Sequence, residues 1–180
     1  MHEAGNAARC AANLAAPGSR VRGRVAVPAV DTALSSHRVL TMEFIDGVKV
    51  TDREGLAALG AHPAAVARLV SETFCEQIFV FGDVHCDPHA ANLLVRAAPG
   101  APRGARGSGA WQLVLLDHGL YRQLDDGLRL EYAGLWRSLI HADEAGIRRH
   151  CAALNAGDAV PLFAGMLTQR PWEEVSEGES

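Results

Sequence analysis

An aspartate followed five positions later by an asparagine, with an apolar run directly behind it, constrains this chain more than any other feature. The segment is His85-Cys86-Asp87-Pro88-His89-Ala90-Ala91-Asn92-Leu93-Leu94-Val95. Upstream of it, Val66, Leu69, Val70, Phe74, Ile78 and Phe81 keep three- and four-residue spacing. That spacing predicts an amphipathic helix opened by Pro63 and stopped by Gly82. Residues 82–92 have no periodicity and are expected to form a loop. Leu93 to Val95 and Trp111 to Leu116 are expected as two short strands, and the second runs into Leu115-Leu116-Asp117-His118-Gly119. Between the strands, residues 97–110 hold two prolines, four glycines and two arginines, the composition of a flexible hairpin insertion.

The rest of the chain completes an α+β pattern. Residues 1–16 are alanine-rich and helix-compatible, with a stop at Pro17-Gly18. Residues 24–30 and 38–45 are expected as short β runs because β-branched and aromatic residues are enriched there. After Leu120 the pattern turns helical. Asp125 or Asp126 is expected to cap a helix burying Leu128, Leu135, Trp136, Leu139 and Ile140, Asp143 one ending near Leu154, and Asp158 a third through Leu167. The last ten residues, from Pro171, carry four glutamates and are expected to fray. Cys86, Met42 and Phe44 are expected to serve as packing side chains.

Composition narrows the function classes. At 180 residues and 48% hydrophobic the chain is of single-domain size with enough apolar material for a core. Seventeen basic side chains against 21 acidic ones give a net charge of −4. Wholesale binding to nucleic acid or anionic membrane needs a basic excess or a basic face, so neither is expected. Cys10, Cys75, Cys86 and Cys151 form no C-x-x-C pair and fit a reduced compartment. No apolar run is long enough for a membrane span. Arg9, Arg20, Arg22 and Arg24 among alanines faintly suggest a transit peptide, against which Glu3 counts.

The Asp-to-Asn spacing between helix and strand resembles the H-R-D-x-x-x-x-N loop of protein kinases, with His85 two positions before Asp87. In that context Asp87 accepts or orients the proton of a substrate hydroxyl, and Asn92 is a hard neutral oxygen ligand suited to Mg²⁺. Leu115 to Gly119 matches the D-F-G turn with His118 in the phenylalanine position, so Asp117 and Asn92 would share one metal site. Met42-Glu43-Phe44-Ile45, at the end of the second β run, resembles the hinge whose backbone groups at Glu43 and Ile45 pair with adenine. His85 and His89 are expected to support the loop. A metal-dependent phosphohydrolase using His85, Asp87, His89 and Asp117 is the remote alternative; zinc ligation by His85 and His89 is disfavoured because Pro88 breaks the helix on which an H-x-x-x-H pair would bind it.

Taken together these segments resemble the aarF-domain (UbiB-like) atypical kinase-like family over nearly the whole chain. Glu3 to Arg9 resembles its N-E-A-x-N-A-x-R helix, Arg38 to Gly47 its R-V-L-T-M-E-F hinge, His85 to Val95 its H-x-D-P-H-P-G-N loop, and Leu115 to Gly119 its L-L-D-(F/H)-G turn. The histidine variant with Leu120-Tyr121, and the stretch from Ala156 to Thr168, most resemble a mitochondrial branch of the family. The resemblance implies a protein-kinase-like fold: an N-lobe remnant and hinge over 1–47, and a mainly helical C-lobe over 48–180. It implies ATP with Mg²⁺, partners in organelle lipid or quinone homeostasis, and a mitochondrial or plastid location.

The departures carry their own expectations. Ala90 and Ala91 replace the family's proline and glycine, which predicts a looser loop around Asn92. Twenty-five positions separate Asn92 from Asp117, stretched by the insertion, and a hairpin tip tolerates this because loop entropy grows slowly with length. The family's phosphate loop, V-A-x-K strand and K-x-G-Q segment are not among these residues, and the sole lysine, Lys49, follows the hinge. The expectation is a chain truncated at both ends, with Glu3 either an exposed helix residue or an orphaned salt-bridge partner. A non-catalytic pseudokinase module is therefore the alternative to a phosphoryl-transfer enzyme.

Overall fold

The computed structural model describes residues 2–102, 104, 105, 107 and 109–177. It is a mixed α+β chain that divides into two compact units, 1–123 and 124–180. Arg103 and Arg106 of the 97–110 insertion, and the end of the acidic tail at 178–180, lie outside the described residues.

The first unit begins with helix α1 (His2–Ala15), which buries Ala7, Cys10 and Leu14 on one face, and Pro17-Gly18 follow its end as expected. The first β run is split in two, β1 (Val25–Ala26) and β2 (Val30–Asp31). Pro28 lies between them and has no N–H to continue a ladder. Of the second run only β3 (Thr41–Met42) is a strand, paired antiparallel to β2. The loop between them is held by side chains instead, with Ser35 Oγ accepting from Thr41 N at 2.9 Å and Thr41 Oγ1 donating to Leu34 O at 2.8 Å.

Strand β4 (Val48–Lys49) and helix α2 (Arg53–Ala58), capped by Asp52, have no periodic signal long enough to be foreseen. Helix α3 (Pro63–Glu76) starts at Pro63 with His62 as its cap and passes into a π-helical turn at Gln77–Phe81. Gly82 ends it in the left-handed conformation at φ 62°, where a side chain is strained.

The main sheet has the order β1-β7-β6-β4. Here β6 (Leu93–Ala97) and β7 (Trp111–Leu115) form the antiparallel hairpin, and β1 runs parallel to β7. Leu113, Val114 and Leu115 are fully buried, as befits a strand covered on both faces. Cys10, Leu14, Val21, Leu56, Val66, Leu69, Leu93, Val95 and Leu113 belong to one core. Inside it sit polar residues that apolar periodicity does not reveal. The Glu76 carboxylate accepts from Ser19 Oγ and from the Arg20 amide, both at 2.6 Å.

The second unit is helical: α4 (Asp126–Ile140), α5 (Glu144–Ala153), α6 (Val160–Thr168) and α7 (Trp172–Glu177). Asp125 caps α4 and Asp143 caps α5, as their sequence positions predict. Three expectations are corrected here. Asp158 does not cap α6 but lies in a 3₁₀ turn, Gly157–Ala159, before it. Leu128 and Ile140 are 43% and 74% exposed, because the stripe of α4 that packs runs through Leu135, Trp136 and Leu139. The tail from Pro171 forms α7, whose Val175 is buried against Ile147, Cys151 and Val160.

Replacing Glu76 with Ala leaves the Ser19 hydroxyl and Arg20 amide without their buried acceptor. Urea denaturation should show a loss of about 1–3 kcal/mol. The exposed Arg53→Gln should stay within about 0.5 kcal/mol of the parent.

Candidate functional site

The register of the β6–β7 hairpin positions two of the sequence-predicted residues. Leu93 faces Leu115, and one step further the Asn92 carbonyl accepts the Leu116 amide at 2.9 Å. Asn92 and Asp117 therefore leave the same end of the hairpin, although 25 positions separate them. Asp117 Oδ1 accepts from the Gly119 amide at 2.7 Å, which folds the turn back on its own carboxylate. The loop before Asn92 contains Ala90 and Ala91. It closes as a 3₁₀ turn in which His89 Nδ1 accepts the Ala91 amide at 3.1 Å and the His89 carbonyl accepts the Asn92 amide at 2.9 Å.

His85 ties the aspartate loop to the turn. The stretch expected to be loop begins with a strand, β5 (Asp83–His85), paired antiparallel to β8 (Tyr121–Gln123), which also lay unforeseen in the region expected to be helical. His85 is buried, its Nδ1 accepts the Asp87 amide at 3.0 Å, and its ring hydrogen-bonds the Asp117 backbone. With Nδ1 accepting, Nε2–H is the donor to the Asp117 carbonyl. One neutral imidazole thus links the backbone of Asp87 to that of Asp117. Both of its nitrogens are occupied in doing so, which argues against the zinc alternative.

A buried chain of polar groups lies behind. His118 Nε2 sits 3.1 Å from the Leu115 carbonyl and Nδ1 sits 3.0 Å from Tyr121 Oη. Because a carbonyl only accepts, Nε2 carries the proton and Tyr121 donates to Nδ1. Tyr121 in turn hydrogen-bonds Cys10, whose sulfur is 3.6 Å from Gln77 Nε2, and Gln77 Oε1 accepts the His85 amide at 3.1 Å. Burial pushes the Cys10 thiol up to about 11 and the Tyr121 phenol well above its usual range. Burial also lowers both His85 and His118 from 6.5, outweighing their hydrogen bonds to backbone carbonyls, which act to raise them.

Helix α1 clamps the turn from the other side. Asn6 Nδ2 donates to the His118 carbonyl at 2.8 Å, Arg9 donates to Asn6 Oδ1 at 2.7 Å, and Arg9 reaches the buried Asp83 at 3.5 Å. Glu3 is near enough for its charge to act on His118, and among the described residues it makes no ion pair. At the expected hinge, the Glu43 amide donates to Ala29 O at 2.8 Å, and its carboxylate pairs with Arg96 at 2.7 Å, which holds its carboxyl below the usual range. Ile45 is buried, whereas Phe44 is 90% exposed and Cys86 is exposed, so neither is the packing residue expected. Asp87 itself is exposed.

Sequence reasoning left out Tyr121, Gln77, Cys10, Asp83 and Arg96. Tyr121 lies two residues past the Leu115–Gly119 turn, and Asn6 and Arg9 stood inside the quoted helix motif; those were the available signals. Since His85 and His118 resist protonation in the fold, the unfolded chain takes up more protons once pH falls below about 6.5. Stability should therefore fall as pH drops from 7.5 to 5.5 and stay flat above, as far as these groups decide it. Denaturation of His118→Phe should lose part of that slope while costing about 1–3 kcal/mol at pH 7.5 through its two broken hydrogen bonds.

With this geometry in view, comparison with known proteins is informative. Residues 1–151 match the ABC1 atypical kinase-like domain. A putative ABC1 protein of Arabidopsis thaliana is 45% identical over 96% of this chain and 32% of its own length. AarF domain-containing protein kinase 1 of Gallus gallus is 42% identical over 84% of the chain and 28% of its own length. A probable serine/threonine-protein kinase of Dictyostelium discoideum is 36% identical over 99% of the chain and 24% of its own length. The chain thus spans a third or less of these relatives. With both signature segments and the α1 motif inside the matched residues, the chain belongs to the ABC1 (AarF-domain) atypical kinase-like family.

Proposed function

We propose that this chain carries the catalytic part of a Mg²⁺-dependent, ATP-binding kinase-like or ATPase domain. Asp87 is the base or water-orienting residue, and Asn92 and Asp117 are the metal ligands. What supports this most is the convergence of the Asp87, Asn92 and Asp117 backbones through the hairpin register and His85. On this reading residues 1–47 are N-lobe and hinge and 48–180 are C-lobe. Activity, acceptor and partners belong to the whole protein that the relatives represent.

The donor set fits Mg²⁺. A carboxylate and an amide oxygen are hard ligands, and Mg²⁺ is ordinarily held by one or two carboxylates together with substrate phosphates rather than by an all-protein cage. When bound, the metal neutralises charge on the phosphates during transfer. The residues themselves position the reactants. The Gly119 amide orients the Asp117 carboxylate through Oδ1. His85 holds the Asp87 backbone so that its exposed carboxylate can accept or orient the proton of a hydroxyl or water. At the hinge the Glu43 N–H is committed to Ala29, which leaves the Glu43 carbonyl and the Ile45 amide as the base-pairing groups. Glu3 would serve as partner to a nucleotide-binding lysine, and His85 and His89 as loop supports. The family resemblance further suggests lipid- or quinone-pathway partners in a mitochondrion or plastid.

Calorimetric titration with ATP in the presence and absence of Mg²⁺ tests this. Asp117→Asn and Asn92→Ala should weaken Mg²⁺-dependent ATP binding at least tenfold. Asp87→Asn should keep binding but lower ATP turnover by roughly 10²–10⁴. ATP affinity that ignores Mg²⁺ and both metal-site substitutions would overturn the assignment, and an absence of any ATP binding would favour the non-catalytic module.

A further inference from the structure

The second unit contains a cleft of about 590 Å³ that the nucleotide reading does not use. Helix α4 contributes Gly134, Arg137 and Ser138 to its wall, α5 contributes Arg149 and His150, and His141 and Asp143 come from the turn between them. Its construction rests on Gly134, where a Cβ would collide with the His150 ring. Lacking one, α4 lets the imidazole lie flat on its backbone. His150 Nδ1 is 2.6 Å from Glu131 Oε2, and Arg149 reaches Nε2 at 3.1 Å. A guanidinium only donates, so Nε2 accepts and Nδ1–H donates to Glu131. The ring thereby steers the Arg149 guanidinium without neutralising it.

Charge pairing distinguishes the cleft from the rest of these two helices. Arg129 is paired with Asp126 at 3.0 Å and Arg148 with Glu144 at 2.7 Å. Arg137 and Arg149, the two arginines that line the cleft, have no carboxylate partner among the described residues. Asp143, the one acid on the wall, has Oδ1 engaged by the Gly146 amide as the cap of α5. Ser138, 6% exposed, lines the same cleft and brings a hydroxyl donor to it.

We propose that this cleft binds a phosphate group, with Arg137 and Arg149 pairing with its oxygens and Ser138 Oγ donating to it. Two guanidinium forks on separate helices with a hydroxyl donor match a tetrahedral dianion better than a planar carboxylate, because each fork can engage a different pair of oxygens. The source is a soluble phosphate ester or the headgroup of an anionic lipid. The site lies wholly within residues 134–150 and is independent of Asp117 and Asn92.

The test is a titration of the ¹⁵N-labelled chain with inorganic phosphate at constant ionic strength, with chloride as control, following the amides of Gly134, Ser138 and Gly146. Saturable shifts are expected with phosphate, at least fivefold weaker in Arg137→Gln and in Arg149→Gln. They should weaken in Ser138→Ala and be unchanged in Arg53→Gln and Asp117→Asn. The last variant separates this site from the nucleotide site, since it disables only the latter. Shifts that grow linearly and equally with chloride, or a saturation curve that neither glutamine variant alters, would overturn the proposal. Cosedimentation with phosphatidic acid-containing vesicles then identifies the source. Arginine-dependent vesicle binding assigns a lipid headgroup, and phosphate binding without vesicle binding assigns a soluble ester.

Discussion

The pairing of Leu93 with Leu115 is the constraint on which the candidate site depends. Side chains alternate along a strand, so a slip of one residue would turn the buried Leu93 and Val95 of β6 toward the face that the half-buried Leu94 and Arg96 occupy. Burial of those two in the core therefore specifies the register, and the register in turn pairs Asn92 with Leu116, the residue before Asp117. The geometry at the hairpin's end is fixed by the hydrophobic effect along its length. At the opposite end the Ala98 amide donates to the Ala110 carbonyl at 2.9 Å, which carries the hairpin's bonding into the first and last residues of the insertion.

Around that end the protein uses neutral buried histidines as connectors. His85 accepts from one segment's amide and donates to another's carbonyl, and His118 does the same between Tyr121 and Leu115. A buried imidazole offers one donor and one acceptor at fixed angles, which makes it a good cross-brace between two loops that have no ladder of their own. The same two-sided use recurs in the second unit, where His150 bridges Arg149 and Glu131. In each case the ring positions another residue's charge or backbone.

The elements that followed from sequence were those whose signal is local or strongly periodic. Helix α3 was legible from its apolar spacing and from Pro63 and Gly82, and α4 and α5 from Asp125 and Asp143. The two-residue and three-residue strands, β5 and β8 above all, were not. A strand that short carries no alternation to detect, and its pairing partners lie 36 to 40 residues away, so only the tertiary contact defines it. Helix α7 was missed because four glutamates suggested a solvated tail, while the buried Val175 and the partly buried Trp172 dock it. Phe44 was misjudged for the opposite reason: an apolar side chain in a β run has two faces to choose from, and composition does not say which is covered.

By itself, the sequence determined the family and the α+β class, and it singled out Asp87, Asn92 and Asp117 as candidates, because motif spacing records which residue types a phosphoryl-transfer site of this kind needs. Only the tertiary structure decided how those residues are held: His85 bonded to the Asp117 backbone, Asn6 to the His118 carbonyl, and Tyr121, Cys10 and Gln77 in one buried chain behind them. Such contacts join positions up to 112 residues apart. They have no period and no fixed spacing, since a hydrogen bond between distant segments depends on where the core has carried each one.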